Sequence, residues 1–154
     1  MLSVGDRAPD FELPASKDDT FRLSAVLAGN PVLLVFYPFD WSPVCTNELG
    51  YFNTNIAAIR KHKVKLAAIS VDSPFSHAAW AKSQKLKFPL LSDFNREVST
   101  AYGVLYDQYK IFRAFAKRAV FVIGKDQTVR YAWVTDDPHV EPDYAEVMKA
   151  LATL

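Results

Sequence analysis

The residues from Val32 to Phe36 read VLLVF, a continuous apolar run that leaves no polar side chain for either face of a strand. A strand of this kind has to be covered on both sides, since a half-exposed strand alternates polar and apolar residues. A second, largely apolar run, VKLAAISV, covers 64–71. Two buried strands with a helix-like segment between them predict an α/β sandwich around a central sheet.

The segment between these strands has the periodicity of an amphipathic helix. Four apolar residues recur there at spacings of three or four, namely Leu49, Phe52, Ile56 and Ile59. This spacing places them on one helical face. We therefore expect one helix from about residue 42 to about residue 61.

Further helices are predicted later in the chain. Asp72-Ser73-Pro74 supplies an N-cap candidate followed by a proline suited to the first turn, so a helix is expected from there to about Gln84. Residues 92–102 can hold a short helix, and a last helix is expected after Pro142.

Strand-like segments occur near both ends of the chain. FEL and TFRL, within the first 30 residues, predict an N-terminal β extension. Residues 119–123 and 128–134 predict a hairpin with the loop GKDQ. The predicted order, ββ-β-α-β-α-α-ββ-α, gives a central mixed sheet flanked by helices. At 154 residues we expect a single domain that covers 1–154.

The composition argues against several classes of protein. Half of the residues are hydrophobic and the net charge is +1, which excludes a disordered chain and gives no sign of a nucleic-acid or polybasic membrane-binding surface. The longest apolar run, 32–37, is too short to span a bilayer, and the N-terminus lacks the apolar core of a signal peptide. We expect a cytoplasmic protein that binds neither nucleic acid nor membrane.

The single cysteine, Cys45, cannot form an internal disulfide and lies where a helix is predicted to begin. With Ser42 as the N-cap and Pro43 as the first helical residue, Cys45 is the third. Free backbone N–H groups and the positive end of the helix dipole then lie beside the sulfur. Both favour the thiolate and predict a lowered pKa. A lone cysteine without such a context is more often a small, inert core residue.

The stretch YPFDWSPVC contains the pattern P-x-x-x-S-x-x-C, which resembles the P-x-x-x-T/S-x-x-C signature of peroxiredoxins. Four further segments resemble the same family, in the expected order: VGDRAPDFELP, AISVDSPFSHAAWA, LKFPLLSD and RAVFVI. The resemblance implies a thioredoxin-like fold and thiol-dependent reduction of hydrogen peroxide or organic hydroperoxides. It implies no cofactor and no metal.

Five residues match the positions that carry the chemistry in this family. By resemblance, Cys45 attacks the peroxide and becomes a sulfenic acid. Ser42 hydrogen-bonds the thiolate or the peroxide, and Pro38 shields the sulfur from water. Arg118, in KRAVFVI, stabilises the thiolate and the charge on the leaving oxygen. Glu48 orients Arg118.

The sequence departs from many peroxiredoxins because it has no second cysteine. In the bacterioferritin-comigratory-like branch a resolving cysteine often lies five residues after the first, where this chain has Gly50. The resemblance is therefore to small one-cysteine members near that group and the alkyl-hydroperoxide-reductase-E-like group. It implies an external reductant, either a low-molecular-weight thiol or a thioredoxin-, glutaredoxin- or mycoredoxin-like protein. Homodimers are common in the family, and the aromatic content permits one.

Other interpretations of the same residues stay open. Cys45 is also compatible with a monothiol disulfide reductase or thiol transferase, and with a redox sensor or binding module that does not turn over. Arg118 lies in a basic cluster with Lys110, Arg113 and Lys117, and only the segment match selects it.

The remaining aromatic residues and the histidines have ordinary structural interpretations. One aromatic series can line a substrate collar, although packing in the core or a subunit interface is favoured: Tyr102, Tyr106, Tyr109, Phe112 and Phe115. Trp80 is expected in the core, and Trp41 either flanks the pocket or packs. His62, His77 and His139 match no metal-site spacing, so we expect them at the surface or hydrogen-bonded.

Overall fold

The structure is a computed structural model that describes residues 2–16 and 18–154. Its strands are β1 Glu12–Pro14, β2 Thr20–Arg22, β3 Val32–Phe36, β4 Lys65–Ser70, β5 Leu90–Ser92, β6 Leu105–Tyr109, β7 Phe112–Ala116, β8 Arg118–Ile123 and β9 Val129–Thr135. Its helices are α1 Leu23–Leu27, α2 Pro43–Thr54, α3 Ile56–Lys61, α4 Pro74–Gln84, α5 Glu97–Ala101 and α6 Tyr144–Ala152. In the described ranges, no helix combines the length and the apolar character that crossing a membrane requires.

Five strands form one mixed sheet in the order β5-β4-β3-β8-β9. β3 is central, parallel to β4 and antiparallel to β8. β1 and β2 form a separate antiparallel pair at the N-terminus, and β6 pairs with β7. The predicted thioredoxin-like fold, with a mixed sheet flanked by helices and an N-terminal β extension, is confirmed.

The apolar side chains of β3 alternate between two cores, one on each face of the sheet. Leu34 and Phe36 belong to a core that the N-terminal segments cover. Leu33 and Val35 belong to a second core that α2, α3, α4 and α6 cover. Every residue of β3 is completely buried, which explains why the strand has no polar position.

The pairing of β3 with β8 creates the place where the site is built. Phe36, the last residue of β3, is opposite Ala119, the second residue of β8. The chain leaving β3 and the residue that begins β8 therefore lie at the same edge of the sheet. A connection of six residues, 37–42, then leads to α2. Open α/β sheets bind their ligands at the carboxyl ends of such strands.

Several boundaries predicted from the sequence are confirmed. α4 begins at Pro74 and ends at Gln84, with the Ser73 side chain accepting a hydrogen bond from the N–H of Ser76. The short helix in 92–102 is α5, the last helix is α6, and the predicted hairpin is formed by β8 and β9. Capping residues and apolar periodicity were sufficient to locate these elements.

The single helix predicted from about residue 42 to about residue 61 is wrong, because two helices meet at Asn55. Asn55 has φ −98° and ψ 14°, and its side-chain amide donates to the carbonyl of Tyr51 at 2.8 Å. Asparagine interrupts helices through local hydrogen bonds of this kind. The apolar face continues across the break, since its four predicted members are all buried: Leu49, Phe52, Ile56 and Ile59.

Sequence patterns did not predict α1, β5 or the β6–β7 hairpin. The turn of this hairpin places Lys110 at φ 55°, whereas glycine or asparagine usually marks such a turn. β5 has three residues and α1 has five, so neither is long enough to show a reliable period.

Trp80 is the largest fully buried side chain of the described residues, and it packs on Tyr37 with ring centroids 5.5 Å apart. Its Nε1 has no hydrogen-bond partner within 2–16 and 18–154. We expect Trp80→Ala to lower the free energy of unfolding by about 3–5 kcal/mol. Trp80→Phe should cost much less, because it keeps most of the packing and removes a buried donor that lacks an acceptor there.

Urea denaturation measures both effects, and Lys82→Ala, an exposed change on the same helix, is the control. Equal losses in the alanine and phenylalanine variants would show that the indole nitrogen is satisfied in solution.

Candidate active site

Ser42 begins α2 and positions Cys45. Its Oγ accepts a hydrogen bond from the backbone N–H of Cys45 at 3.2 Å, and Pro43 occupies the first turn. The predicted N-cap is therefore confirmed. The Cys45 side chain points into the protein and is completely buried, so the sulfur lies at a helix N-terminus but out of contact with bulk solvent.

Arg118 reaches Cys45 from the first position of β8. Its Nη1 and Nη2 atoms lie 3.5 and 3.4 Å from Cys45 Sγ. Nη2 and Nε also donate to the carbonyl of Pro138, at 2.7 and 3.2 Å. The residue is 1% exposed, so the guanidinium is held in one orientation against the sulfur.

The other members of the basic cluster differ in position. Lys110 is exposed and lines the same cavity as Arg118. Arg113 is exposed, and Lys117 pairs with Asp136 at 2.7 Å. Among these four residues, the structure brings Arg118 to the sulfur, in agreement with the segment match.

Glu48 lies on the same side of α2 as Cys45 and pairs with Arg118. Its Oε1 accepts from Nη1 of Arg118 at 2.8 Å. Its Oε2 is buried and has no hydrogen-bond partner among the described residues. Burial raises the pKa of Glu48 to about 7, against the lowering effect of Arg118. The carboxyl group therefore gains a proton in this site far more readily than it does in water.

Burial is also the largest influence on Cys45, and it raises the pKa of the thiol above its ordinary value. Arg118, the hydroxyl of Ser42 and the backbone of Phe39 act in the opposite direction. The net direction is contrary to the lowered pKa predicted from the helix N-terminus, because that prediction did not include complete burial. The groups around the sulfur thus offset a desolvation penalty.

A cavity of about 250 Å³ opens beside Arg118 and Ser42, the two residues that flank Cys45, although Cys45 itself is not part of its wall. Pro38, Ser42 and Arg118 form part of its wall, so three of the predicted residues face the same space. Pro38 is buried, consistent with a shielding position. A larger, open depression of about 570 Å³ runs along the outside of α2 past Gly50, and none of these three residues lines it.

The aromatic series divides between the two interpretations that the sequence allowed. Tyr109, Phe112 and Phe115 line the cavity beside Arg118. Tyr106 packs behind Phe115, with ring centroids 4.7 Å apart, and Tyr102 belongs to the first core.

The two tryptophans differ in their surroundings. Trp80 is in the second core, as predicted. Both expectations for Trp41 are wrong, because it is 55% exposed and is not part of the cavity wall.

A buried polar network behind the site was not predicted. The carboxylate of Asp40 accepts hydrogen bonds from the hydroxyls of Tyr37 at 2.6 Å and Ser76 at 2.8 Å. Nδ1 of His77 lies 2.8 Å from the same carboxylate. His77 is thus a buried, hydrogen-bonded histidine, as the sequence allowed. His62 and His139 are exposed, and Nδ1 of His139 lies 3.1 Å from Asp137. A single sequence holds no signal that pairs residues 40 and 77.

Asp40, Asp72 and His77 have side-chain ligand atoms within 4.8 Å of one another, a grouping that could hold a metal ion. Both oxygens of Asp40 and both ring nitrogens of His77 already make hydrogen bonds. The donors and acceptors are matched to each other, which favours a structural network over a metal centre.

Comparison with known proteins agrees with the geometry of the site. The family model described as the AhpC/TSA family matches residues 4–132. Alkyl hydroperoxide reductase E of Mycobacterium bovis is 36% identical over 134 residues, which cover 86% of this chain and 85% of that protein. The crystal structure of peroxidoxin BcpB from Mycobacterium tuberculosis superposes with a TM-score of 0.88 at 28% identity, covering 100% of this chain and 99% of that one.

The relatives named as two-cysteine peroxiredoxins are longer than this chain. The chloroplastic 2-cysteine peroxiredoxin of Chattonella marina var. antiqua is 34% identical over 145 residues, which cover 88% of this chain and 72% of that protein. The chain spans only about half of the chloroplastic 2-Cys peroxiredoxins of Spinacia oleracea and Arabidopsis thaliana, 52% of each. The match over most of the chain, together with the contact of Arg118 with Cys45, shows that this protein belongs to the peroxiredoxins of the AhpC/TSA family.

Proposed function

We propose that this protein is a one-cysteine thiol peroxidase, in which Cys45 reduces hydrogen peroxide or organic hydroperoxides and an external thiol restores it. The observation that carries the proposal is the contact of both Nη atoms of Arg118 with Cys45 Sγ beside a cavity. An inert core thiol needs no cation beside it, and a neutral thiol replaces little of the hydration that a buried guanidinium loses.

The first step follows from these contacts. The Cys45 thiolate attacks the terminal oxygen of the peroxide, so that an S–O bond forms while the O–O bond breaks. The sulfur loses two electrons and becomes a sulfenic acid, and the departing oxygen takes up a proton as an alcohol or water. Arg118 donates hydrogen bonds to the sulfur before the attack and to the developing negative charge during it.

Ser42 and Pro38 complete the proposed site. The Ser42 hydroxyl hydrogen is free to bond the thiolate or the peroxide, because the Oγ atom already accepts from the backbone of Cys45. Pro38 lacks an N–H and closes the wall next to Ser42, so it excludes water without competing for the peroxide. Glu48 holds Nη1 of Arg118 in the plane that faces the sulfur.

The second step requires another molecule, since Cys45 is the single cysteine of the chain. An external thiol attacks the sulfenic sulfur, and water leaves as the mixed disulfide forms. A second thiol then attacks this disulfide, which releases Cys45 and an external disulfide. We propose a low-molecular-weight thiol or a redoxin protein of the cytoplasm as this reductant.

We also propose a homodimer. Large apolar side chains are exposed on several segments: Trp41, Phe75, Phe94, Ile111 and Phe112. Covering such side chains in a second copy would remove apolar surface from water. Light scattering coupled to size-exclusion chromatography should give twice the mass of the 17.3 kDa chain, and the mass of one chain at micromolar concentration would contradict the dimer.

The role of Arg118 can be tested by comparing it with Arg113, an exposed member of the same basic cluster. Arg118→Ala should slow the oxidation of Cys45 by roughly 10²–10³-fold, the usual loss for one donor to a developing oxyanion. Arg113→Ala should leave the rate unchanged within about twofold, because Arg113 is exposed. Stopped-flow tryptophan fluorescence after mixing with hydrogen peroxide measures both rates.

Arg118→Lys keeps a charge if the alanine variant folds poorly, and Cys45→Ser is the inactive reference. Equal effects at positions 113 and 118 would show that the cation is assigned wrongly. Wild-type oxidation no faster than that of a free thiol at the same pH would overturn the peroxidase proposal, and fast oxidation without turnover by any thiol would favour a redox sensor.

The carboxyl group of Glu48 makes stability depend on pH. Its pKa rises from an ordinary value of 4.5 to about 7 in the folded protein, so the native state binds the extra proton between these values. The free energy of unfolding should therefore be higher below pH 4.5 and fall as pH rises to 7, by an amount on the order of 1–3 kcal/mol. Glu48→Gln removes this contribution.

Urea denaturation at several pH values gives the free energy of unfolding of wild type and Glu48→Gln. The difference between the two isolates the contribution of Glu48, since all other groups titrate in both proteins. Glu146→Gln, an exposed change on α6, is the matched control. A difference between wild type and Glu48→Gln that stays constant from pH 4.5 to 7 would mean that folding does not shift the pKa of Glu48 from its ordinary value of 4.5.

A further inference from the structure

The loop that precedes α2, residues 38–42, is anchored to the protein interior by the buried side chain of one of its residues, Asp40. Asp40 has no exposed side-chain surface, and its carboxylate accepts from Tyr37, Ser76 and His77. Its backbone N–H donates to Asp72 at 2.8 Å. The side chains of this network do not bond Cys45 Sγ, whose hydrogen bonds involve Arg118, Ser42 and the backbone of Phe39.

Both nitrogens of the buried His77 ring have hydrogen-bond partners. Nε2 lies 3.1 Å from the backbone carbonyl of Leu91, and a carbonyl can only accept, so Nε2 carries a hydrogen. Nδ1 lies 3.0 and 2.8 Å from the two oxygens of Asp40. His77 thus joins Asp40 to the backbone of β5 at 3% exposure.

The backbone of Trp41, the residue after Asp40, has an unfavourable conformation. Trp41 has φ 71°, a left-handed conformation that is unfavourable for a residue with a bulky side chain. Its side chain is 55% exposed, so packing does not hold it there. The conformation is imposed from its two sides, by the anchored Asp40 and by Ser42 at the start of α2.

The sulfur also needs an opening that the closed structure lacks. Cys45 is completely buried, whereas the reductant has to bring a second sulfur into contact with it. On one side the sulfur is covered by Arg118, which belongs to a strand inside the central sheet. On the other side the backbone of Phe39 and the hydroxyl of Ser42 interact with the thiol, and the segment 38–42 to which they belong forms no strand or helix.

We propose that His77 is a positioning residue of the peroxidase: paired with Asp40, it holds the loop 38–42 closed over Cys45 for the peroxide step, and release of this pair admits the thiol reductant. The second half rests on the proposed function. The first half concerns only the access to Cys45, so it can be tested without peroxide.

Two variants remove different parts of the pair. His77→Asn retains a polar group that can hydrogen-bond Asp40, and His77→Ala removes the hydrogen-bond partner altogether. His62→Asn is the matched control, since His62 is exposed. Two rates are compared: the oxidation of Cys45 by hydrogen peroxide, and the reaction of the reduced thiol with the bulky disulfide reagent 5,5′-dithiobis(2-nitrobenzoate).

We expect opposite effects on the two rates. In His77→Ala, oxidation should slow and labelling should accelerate, each by at least about tenfold, because the buried carboxyl group of Asp40 loses a hydrogen-bond partner and the loop opens. His77→Asn should lie between alanine and wild type, and His62→Asn should match wild type. A fall in both rates, or no change in either, would overturn the proposal.

The dependence of labelling on urea distinguishes local opening from unfolding. Labelling through the loop should be nearly independent of urea at low concentration, while labelling through global unfolding rises steeply. A steep rise from zero urea in His77→Ala would overturn the proposal. If His77→Ala fails to fold, Ser76→Ala, which removes one donor to Asp40, should give the same opposite effects to a smaller degree. If the wild type fails as a peroxidase, the labelling rates still decide whether the pair closes the loop.

Discussion

One buried guanidinium joins the parts of this site that are distant in sequence. Arg118 bonds the sulfur of α2, the carboxylate of Glu48 one helical turn further, and the carbonyl of Pro138. It can do so because β8 runs antiparallel to β3 and begins where β3 ends. The central sheet therefore fixes the cation, and the helix brings the sulfur to it. A loss of register between these two strands would separate them.

The same cation has to serve two acidic groups, which makes their protonation states interdependent. Burial disfavours the charged form of both Cys45 and Glu48, and one positive charge cannot neutralise two anions. Oε2 of Glu48 finds no hydrogen-bond donor in the part of the chain that the structure describes. The carboxylate of Glu48 is therefore less well stabilised by hydrogen bonds than the thiolate of Cys45. When Glu48 is protonated, Arg118 acts on the sulfur alone, and the thiolate gains the full benefit of the cation.

Sequence patterns predicted what is local or repeated, and they failed where contacts between distant residues decide. Ser42 and Cys45 were located by capping rules, because a helix N-terminus is encoded within four residues. Arg118 was selected by resemblance to a family segment, since its basic neighbours look equivalent in composition. The break at Asn55 and the pairing of His77 with residue 40 were missed, as the first depends on one side-chain bond and the second on tertiary packing.

The absence of a second cysteine is consistent with the way α2 is built. A side chain added at Gly50 would meet no atom of another element within 4 Å in the described part of the chain, so packing does not exclude a cysteine there. The helix runs unbroken from Pro43 to Thr54, however, and five residues of helix span roughly 7.5 Å along its axis. Sulfurs at 45 and 50 could be joined only if the first turns of α2 unwound, since a disulfide needs closer backbones. An external thiol avoids this cost, because it requires movement of the loop 38–42 while α2, and with it the alignment of Cys45 to Arg118, stays intact.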